Sequence, residues 1–207
     1  MKSALLLTSL LCALTCLSAC AATDNAGQGV DNTESIGATC GVDGAEACES
    51  QDEWPVWTLE DIQPQSERYG ESYGLDAFSG KYVFVAFLVG WCPYCRSQAA
   101  ILESFRTDAE FENVEFVVVH GISANNAEHQ SAILTNEDGT PRHGMVTFQD
   151  TEAVDAWSIQ MGSKDDFFIY GPDGALKTYL PGGQQTNLST QEGKDYLRQS
   201  LRQAMEE

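Results

Sequence analysis

Basic residues are scarce in this chain. Lys and Arg total 11 against 31 Asp and Glu, a formal net charge of −20 over 207 residues. None of the basic residues forms a run, so no patch gathers anions. A chain this acidic repels phosphate backbones, which excludes nucleic acid as a partner, and it has no electrostatic footing on anionic lipid headgroups. Histidine is rarer still, with three. The one Cys-x-x-Cys has no second copy, so a four-cysteine zinc site has only half its ligands. The remainder, 43% hydrophobic and 20% charged, suffices for one globular domain with a real core, plus extra segments.

The N-terminus is an address. Residues 1–19, MKSALLLTSLLCALTCLSA, carry one Lys and then an uncharged, Leu-rich run ending in small residues. The run has no polar face for a buried helix and is too short for a lasting membrane span, so it reads as an export signal. Leu17-Ser18-Ala19-Cys20 resembles the bacterial lipobox. That resemblance implies cleavage before Cys20, acylation of its thiol and new amine, and a lipid anchor in the cell envelope, on the periplasmic or outer-membrane side. Simple secretion is the alternative.

Residues 20–51 are rich in Ala, Gly, Asp, Asn, Ser and Thr and nearly devoid of large apolar side chains, the composition of a flexible acidic tether. It holds Cys40 and Cys48, as CGVDGAEAC. In a compartment that permits disulfides, a small structural bridge is the plain reading; a redox shuttle is the sharper one, and two thiols without a nearby His make a poor metal site. The domain proper spans 52–207.

Within it, Lys81 to Val89 (KYVFVAFLV) is an unbroken apolar run, as expected of a strand buried on both faces. Helical spacing marks 96–106, and Val114 to His120 is a second buried strand. A helix at 126–135, a short strand at 145–148 and a short helix at 151–159 capped by Thr151 follow. Strands at 166–170 and 175–180 flank Gly171-Pro172-Asp173-Gly174 as a hairpin, and 191–204 forms the last helix. This order predicts an α/β fold, a mixed sheet flanked by helices, parallel pairs first and an antiparallel hairpin last. Phe84, Phe87, Phe116, Trp157 and Phe168 are core candidates. His120, at a strand end, is expected to satisfy local backbone; His129 and His143 lie in polar stretches expected to be exposed.

Chemistry concentrates in Trp91-Cys92-Pro93-Tyr94-Cys95, between the buried strand and the helix. At such a junction Cys92 lies at or beside the helix N-cap, where the dipole and free N–H groups favour a thiolate. Pro93 suits the first helical position. Cys95, three residues on, shares that face and is expected to be the more buried thiol. Cys92 then attacks a disulfide, and Cys95 resolves the mixed disulfide. Trp91 shields the sulfurs and shapes a docking surface. A structural 92–95 bridge without turnover is the bland alternative.

FSGKYVFVAFLVGWCPYC resembles the periplasmic branch of the thioredoxin superfamily. Gly162-Ser163-Lys164-Asp165-Asp166-Phe167-Phe168-Ile169-Tyr170, the Val118-Val119-His120-Gly121-Ile122-Ser123 stretch and the approach from Val154 to Trp157 are similar to the N-terminal domain of selenoprotein P. The likeness covers roughly residues 54–205. It implies a thioredoxin fold with a redox centre at Cys92 and Cys95, Cys92 standing where that domain has selenocysteine. The relative's selenium-rich tail and His stretches have no counterpart in the likeness.

Two departures bear on mechanism. Thioredoxins carry a cis-proline before the strand beside the active site; here the count reaches Asp165, in a loop with Lys164 that faces the site, and no proline lies between Arg142 and Gly171. An Asp there is expected to raise the Cys92 pKa by like-charge repulsion. Many thioredoxins also bury an acid six residues before the first Cys, and that residue is Ala86. Water, or Lys164 and Asp165, would substitute as proton acceptor.

The reading is therefore an envelope-anchored thiol–disulfide oxidoreductase acting on protein or small-molecule disulfides or dithiols, with a reducing or oxidising partner and no cofactor or metal. The alternatives are a thiol peroxidase using Cys92 and a non-catalytic metal- or partner-binding module.

Overall fold

A computed structural model describes residues 53–206. The export signal, Cys20, and the Cys40 and Cys48 pair lie outside the described residues.

Two short strands come first, β1 (Leu59–Asp61) and β2 (Ser72–Tyr73). Then follow β3 (Tyr82–Leu88), α1 (Pro93–Arg106), β4 (Val114–His120), α2 (Ala127–Leu134), β5 (Val146–Gln149), α3 (Ala156–Ile159), β6 (Phe167–Tyr170), β7 (Leu176–Leu180) and α4 (Gln191–Glu206). The seven strands form one sheet in the order β2-β1-β5-β4-β3-β6-β7. β3, β4 and β5 run parallel, and β6 pairs antiparallel with both β3 and β7. At the far edge β1 pairs antiparallel with β5 and β2 antiparallel with β1, an edge that the short segments around Trp57 and Tyr73 only hint at in sequence.

β3 is central because its side chains are apolar on both faces, and Val83 to Leu88 are all 0% exposed. On one face Phe84, Phe116 and Phe167 pack under Leu102 and Phe105 of α1 and Leu197 and Leu201 of α4. On the other, Val85, Phe87 and Phe168 meet Trp57, Tyr73 and Ala156, so α3 and the N-terminal segment cover the second face. The five aromatic core candidates all pack here, Trp157 only partly buried.

Two local expectations are corrected. The helix expected over 151–159 begins at Ala156, with its N-cap Asp155 at φ 53°. Thr151 is not its cap. The fully buried Asp150 carboxylate accepts N–H bonds from Thr151, Ala156 and Trp157 at 2.8, 3.0 and 3.2 Å, which holds residues 151–155 in a turn. His143 is 2% exposed rather than on the surface, because Gln63 reaches its ring and its carbonyl from beyond β1. His129 is half-buried on α2.

Candidate dithiol site

β3 delivers the chain to Gly90, where side-chain size is decisive. A Cβ there would lie 1.8 Å from the His129 carbonyl oxygen, so only glycine lets α2 pack against this loop. Both backbone groups of Gly90 are held. Its N–H donates to His120 Nε2 at 2.9 Å, and its carbonyl accepts from Arg96 Nη1 at 3.1 Å. His120 Nδ1 stands 2.8 Å from Gln149 Oε1, so the network assigns the proton to Nδ1 and leaves Nε2 to accept. Burial lowers the pKa of this ring, which keeps it neutral. The strand-end histidine thus serves local backbone, and the backbone it serves is the approach to the cysteines.

Cys92 is the N-cap of α1 in extended conformation, and Pro93 is the first helical residue, where its missing N–H costs nothing. Cys95 lies one turn on. Both are free thiols, Cys92 9% exposed and Cys95 0%. Trp91 is 46% exposed and donates from Nε1 to Ser123 Oγ at 3.2 Å, which ties the indole to the loop after β4. The Tyr94 hydroxyl donates to Asn187 Oδ1 at 3.1 Å, in the loop before α4.

The loop before β6 completes the site. The Asp165 N–H donates to the Phe87 carbonyl at 2.8 Å and the Phe87 N–H to the Asp166 carbonyl at 3.0 Å, so the end of β3 sets the register of this turn. Asp165 has φ 73°, a left-handed conformation that Asp tolerates better than most residues. Its Oδ1 accepts from Cys95 Sγ at 3.1 Å and from Gln98 Nε2 at 3.0 Å, and Lys164 Nζ pairs with Oδ2. The carboxylate therefore meets Cys95, not Cys92 as the like-charge expectation had it: the left-handed turn aims it at the helix face one turn past the cap.

Sequence reasoning missed Gln98. It lies on the same face of α1 as Cys95 and Leu102, is 0% exposed, and its Oε1 has no hydrogen-bond partner among the described residues. A polar residue at a core-facing spacing was the available signal.

Burial pushes the Cys95 thiol far up from its ordinary pKa; a backbone bond from Val89 opposes this and the Asp165 hydrogen bond and charge add to it. Tyr94 is raised by burial and then by the Asp165 charge. Burial pulls the Lys164 ammonium down, but its bond to Asp165 and the nearby thiols raise it overall. Alongside runs an open groove of about 380 Å³, walled in part by Ser123, Trp157, Gly162 and Lys164. Gly162 is needed there, since a Cβ would sit 2.5 Å from the Phe87 ring. Among the described residues no cluster of three or more His, Cys, Asp or Glu is placed to hold a metal ion, and no helix is long and apolar enough to cross a membrane.

The family model for the selenoprotein P N-terminal region matches residues 43–181. Selenoprotein P of Bos taurus is 29% identical over 131 residues, which cover 61% of this chain and 29% of that protein. The chain thus spans about 29% of the length of that curated relative. Among solved structures, the thioredoxin domain of a thiol-disulfide oxidoreductase from Bacteroides vulgatus superposes with a TM-score of 0.53 at 18% identity, over 76% of this chain and 98% of that one. The pneumococcal exposed lipoprotein thioredoxin of Streptococcus pneumoniae gives 0.51 at 17% identity, over 71% and 98%. These likenesses establish the thioredoxin-like fold.

Proposed function

Since the chain belongs to the selenoprotein P N-terminal region family, and from its paired free thiols, we propose that it is a thiol–disulfide oxidoreductase working through Cys92 and Cys95. The observation that carries this reading is the pair itself: two unbridged sulfurs at the start of a 14-residue helix, the leading one more exposed than the second. Cys92 attacks a disulfide of a protein or small molecule, one sulfur of the target leaves as thiolate, and Cys95 then displaces the other from Cys92. Run in reverse, the oxidised pair accepts electrons from a dithiol. The groove beside Lys164 and the indole of Trp91 give the partner a surface next to Cys92.

The same reading puts the domain outside the cytoplasm. Cleavage before Cys20 and acylation of that residue anchor it, 20–51 tether it, and Cys40 bridges Cys48. Support comes from the N-terminal sequence; the pneumococcal relative in fold is itself described as an exposed lipoprotein.

The test is substitution. Cys92→Ser abolishes disulfide reductase activity, and Cys95→Ser retains the partner as a stable mixed disulfide on Cys92. Full activity in Cys92→Ser overturns the proposal.

A further inference from the structure

Cys95 must lose a proton before it can attack, yet burial holds that proton on. The end of β3 offers no acceptor, because Ala86 presents only a methyl group to the core. The Tyr94 hydroxyl is committed to Asn187, and Lys164 is a cation. One carboxylate touches the sulfur, and it arrives from the other side of the site, across 70 residues of sequence.

We propose that Asp165 is the catalytic base for Cys95, a proton acceptor supplied by the loop before β6. The inference rests on the thiol–disulfide reading above and assigns the proton path of its second step. The carboxylate is set for this. Its Oδ2 is clamped by Lys164, and its Oδ1 faces the Cys95 thiol while Gln98 Nε2 donates to the same atom and fixes its position. Gln98 is a positioning residue. The titratable groups around the carboxylate are Cys92, Tyr94 and Cys95 from the start of α1 and Lys164 from its own loop. The loop before α4 brings Gly182 against its backbone.

The step balances. In the mixed disulfide between Cys92 and the partner, the Cys95 proton passes to Asp165 Oδ1 and the sulfur attacks Cys92 Sγ. The Cys92–Cys95 bond forms and the Cys92–partner bond breaks. The partner sulfur leaves as thiolate and takes a proton from the protonated Asp165 or from water. The partner is reduced and the pair oxidised. In reverse, Asp165 returns the proton to Cys95 as it leaves Cys92.

The experiment uses the full chain with the other five of its seven cysteines replaced by serine, reduced and mixed with excess 5,5′-dithiobis(2-nitrobenzoate). Attack by Cys92 releases one chromophoric thiolate in a concentration-dependent phase. Attack by Cys95 releases the second in a concentration-independent phase. Asp165→Asn keeps the shape and the left-handed preference but cannot take a proton. The expected result is an unchanged first phase and a second phase slower by about a hundredfold near neutral pH, the low end of general base catalysis. In the unsubstituted site the second phase stays nearly flat between about pH 7 and 9, where attack without a base would climb about tenfold per pH unit. That profile tests the inference even if Asp165→Asn fails to fold. A second phase unaltered in Asp165→Asn, both phases slowed equally, or a steep climb in the parent chain overturns it. If the parent releases both thiolates but Asp165→Asn matches it, only the base assignment falls. If the parent releases neither, the oxidoreductase reading falls and takes this one with it.

Discussion

The Cys95 thiol donates to the Asp165 carboxylate at 3.1 Å, from a helix to a loop whose backbone is registered on the end of β3 through Phe87. The bond needs Asp165 in its left-handed conformation, φ 73°. Replacing it tests backbone and side chain separately. Asp165→Gly loses the carboxylate but suits the backbone, whereas Asp165→Ala loses the carboxylate and keeps the strain. Asp165→Ala is expected to be less stable than Asp165→Gly by about 1 kcal/mol, measured by urea denaturation of both variants.

Gln98→Leu separates positioning from packing. Leucine keeps a similar volume and removes the Oε1 that has no partner among the described residues, while the bond to Asp165 is lost. Stability is expected to change by no more than about 1 kcal/mol, because deleting an orphaned polar atom offsets the lost hydrogen bond. The release of the second thiolate slows several-fold with the first untouched. Equilibrium unfolding beside the two-phase thiolate assay checks both halves.

The domain's secondary structure was legible where burial writes a simple pattern. β3 is an unbroken apolar run and β4 an apolar run interrupted only by Glu115 before its terminal His120, and WCPYC between strand and helix locates both thiols and Pro93. Asp165 was reachable by counting back from the Gly171 to Gly174 turn. Which thiol it meets was not, because that depends on a left-handed backbone and on register with Phe87, both tertiary. The turn after Asp150 was misread for a related reason: its capping carboxylate lies five residues before the N-cap, at a distance that local capping patterns do not cover. His143 reads as polar loop by its neighbours, and Gln63, 80 residues away, buries it.

Gly90 sets the loop ahead of the cysteines. Gly90→Ala places a methyl group 1.8 Å from the His129 carbonyl oxygen, which is backbone and cannot rotate away. The variant is expected to lose about 3 kcal/mol or more of stability and most of its disulfide exchange. Chemical denaturation and turnover by the folded fraction report the two losses.

Acid should weaken the fold through its buried histidines. Burial lowers His143 to about 4, and His120 is lowered by burial as well. A histidine depressed in the native state binds its proton more readily when unfolded. Its contribution is therefore complete above the unfolded value of about 6.5 and is lost as pH falls from there towards 4. For His143 the loss amounts to about 3 kcal/mol. His143→Gln is expected to flatten the fall between about pH 6.5 and 4, read from denaturation midpoints across that range.

The most direct test of the account is to equilibrate the chain across a series of defined thiol–disulfide buffers and quantify the 92–95 disulfide by mass spectrometry. A reversible two-electron transition is predicted, lost in Cys92→Ser and in Cys95→Ser, with a midpoint between about −270 mV, a reductase, and about −120 mV, an oxidase. A pair that stays bridged to below about −300 mV, or that never bridges, would contradict it.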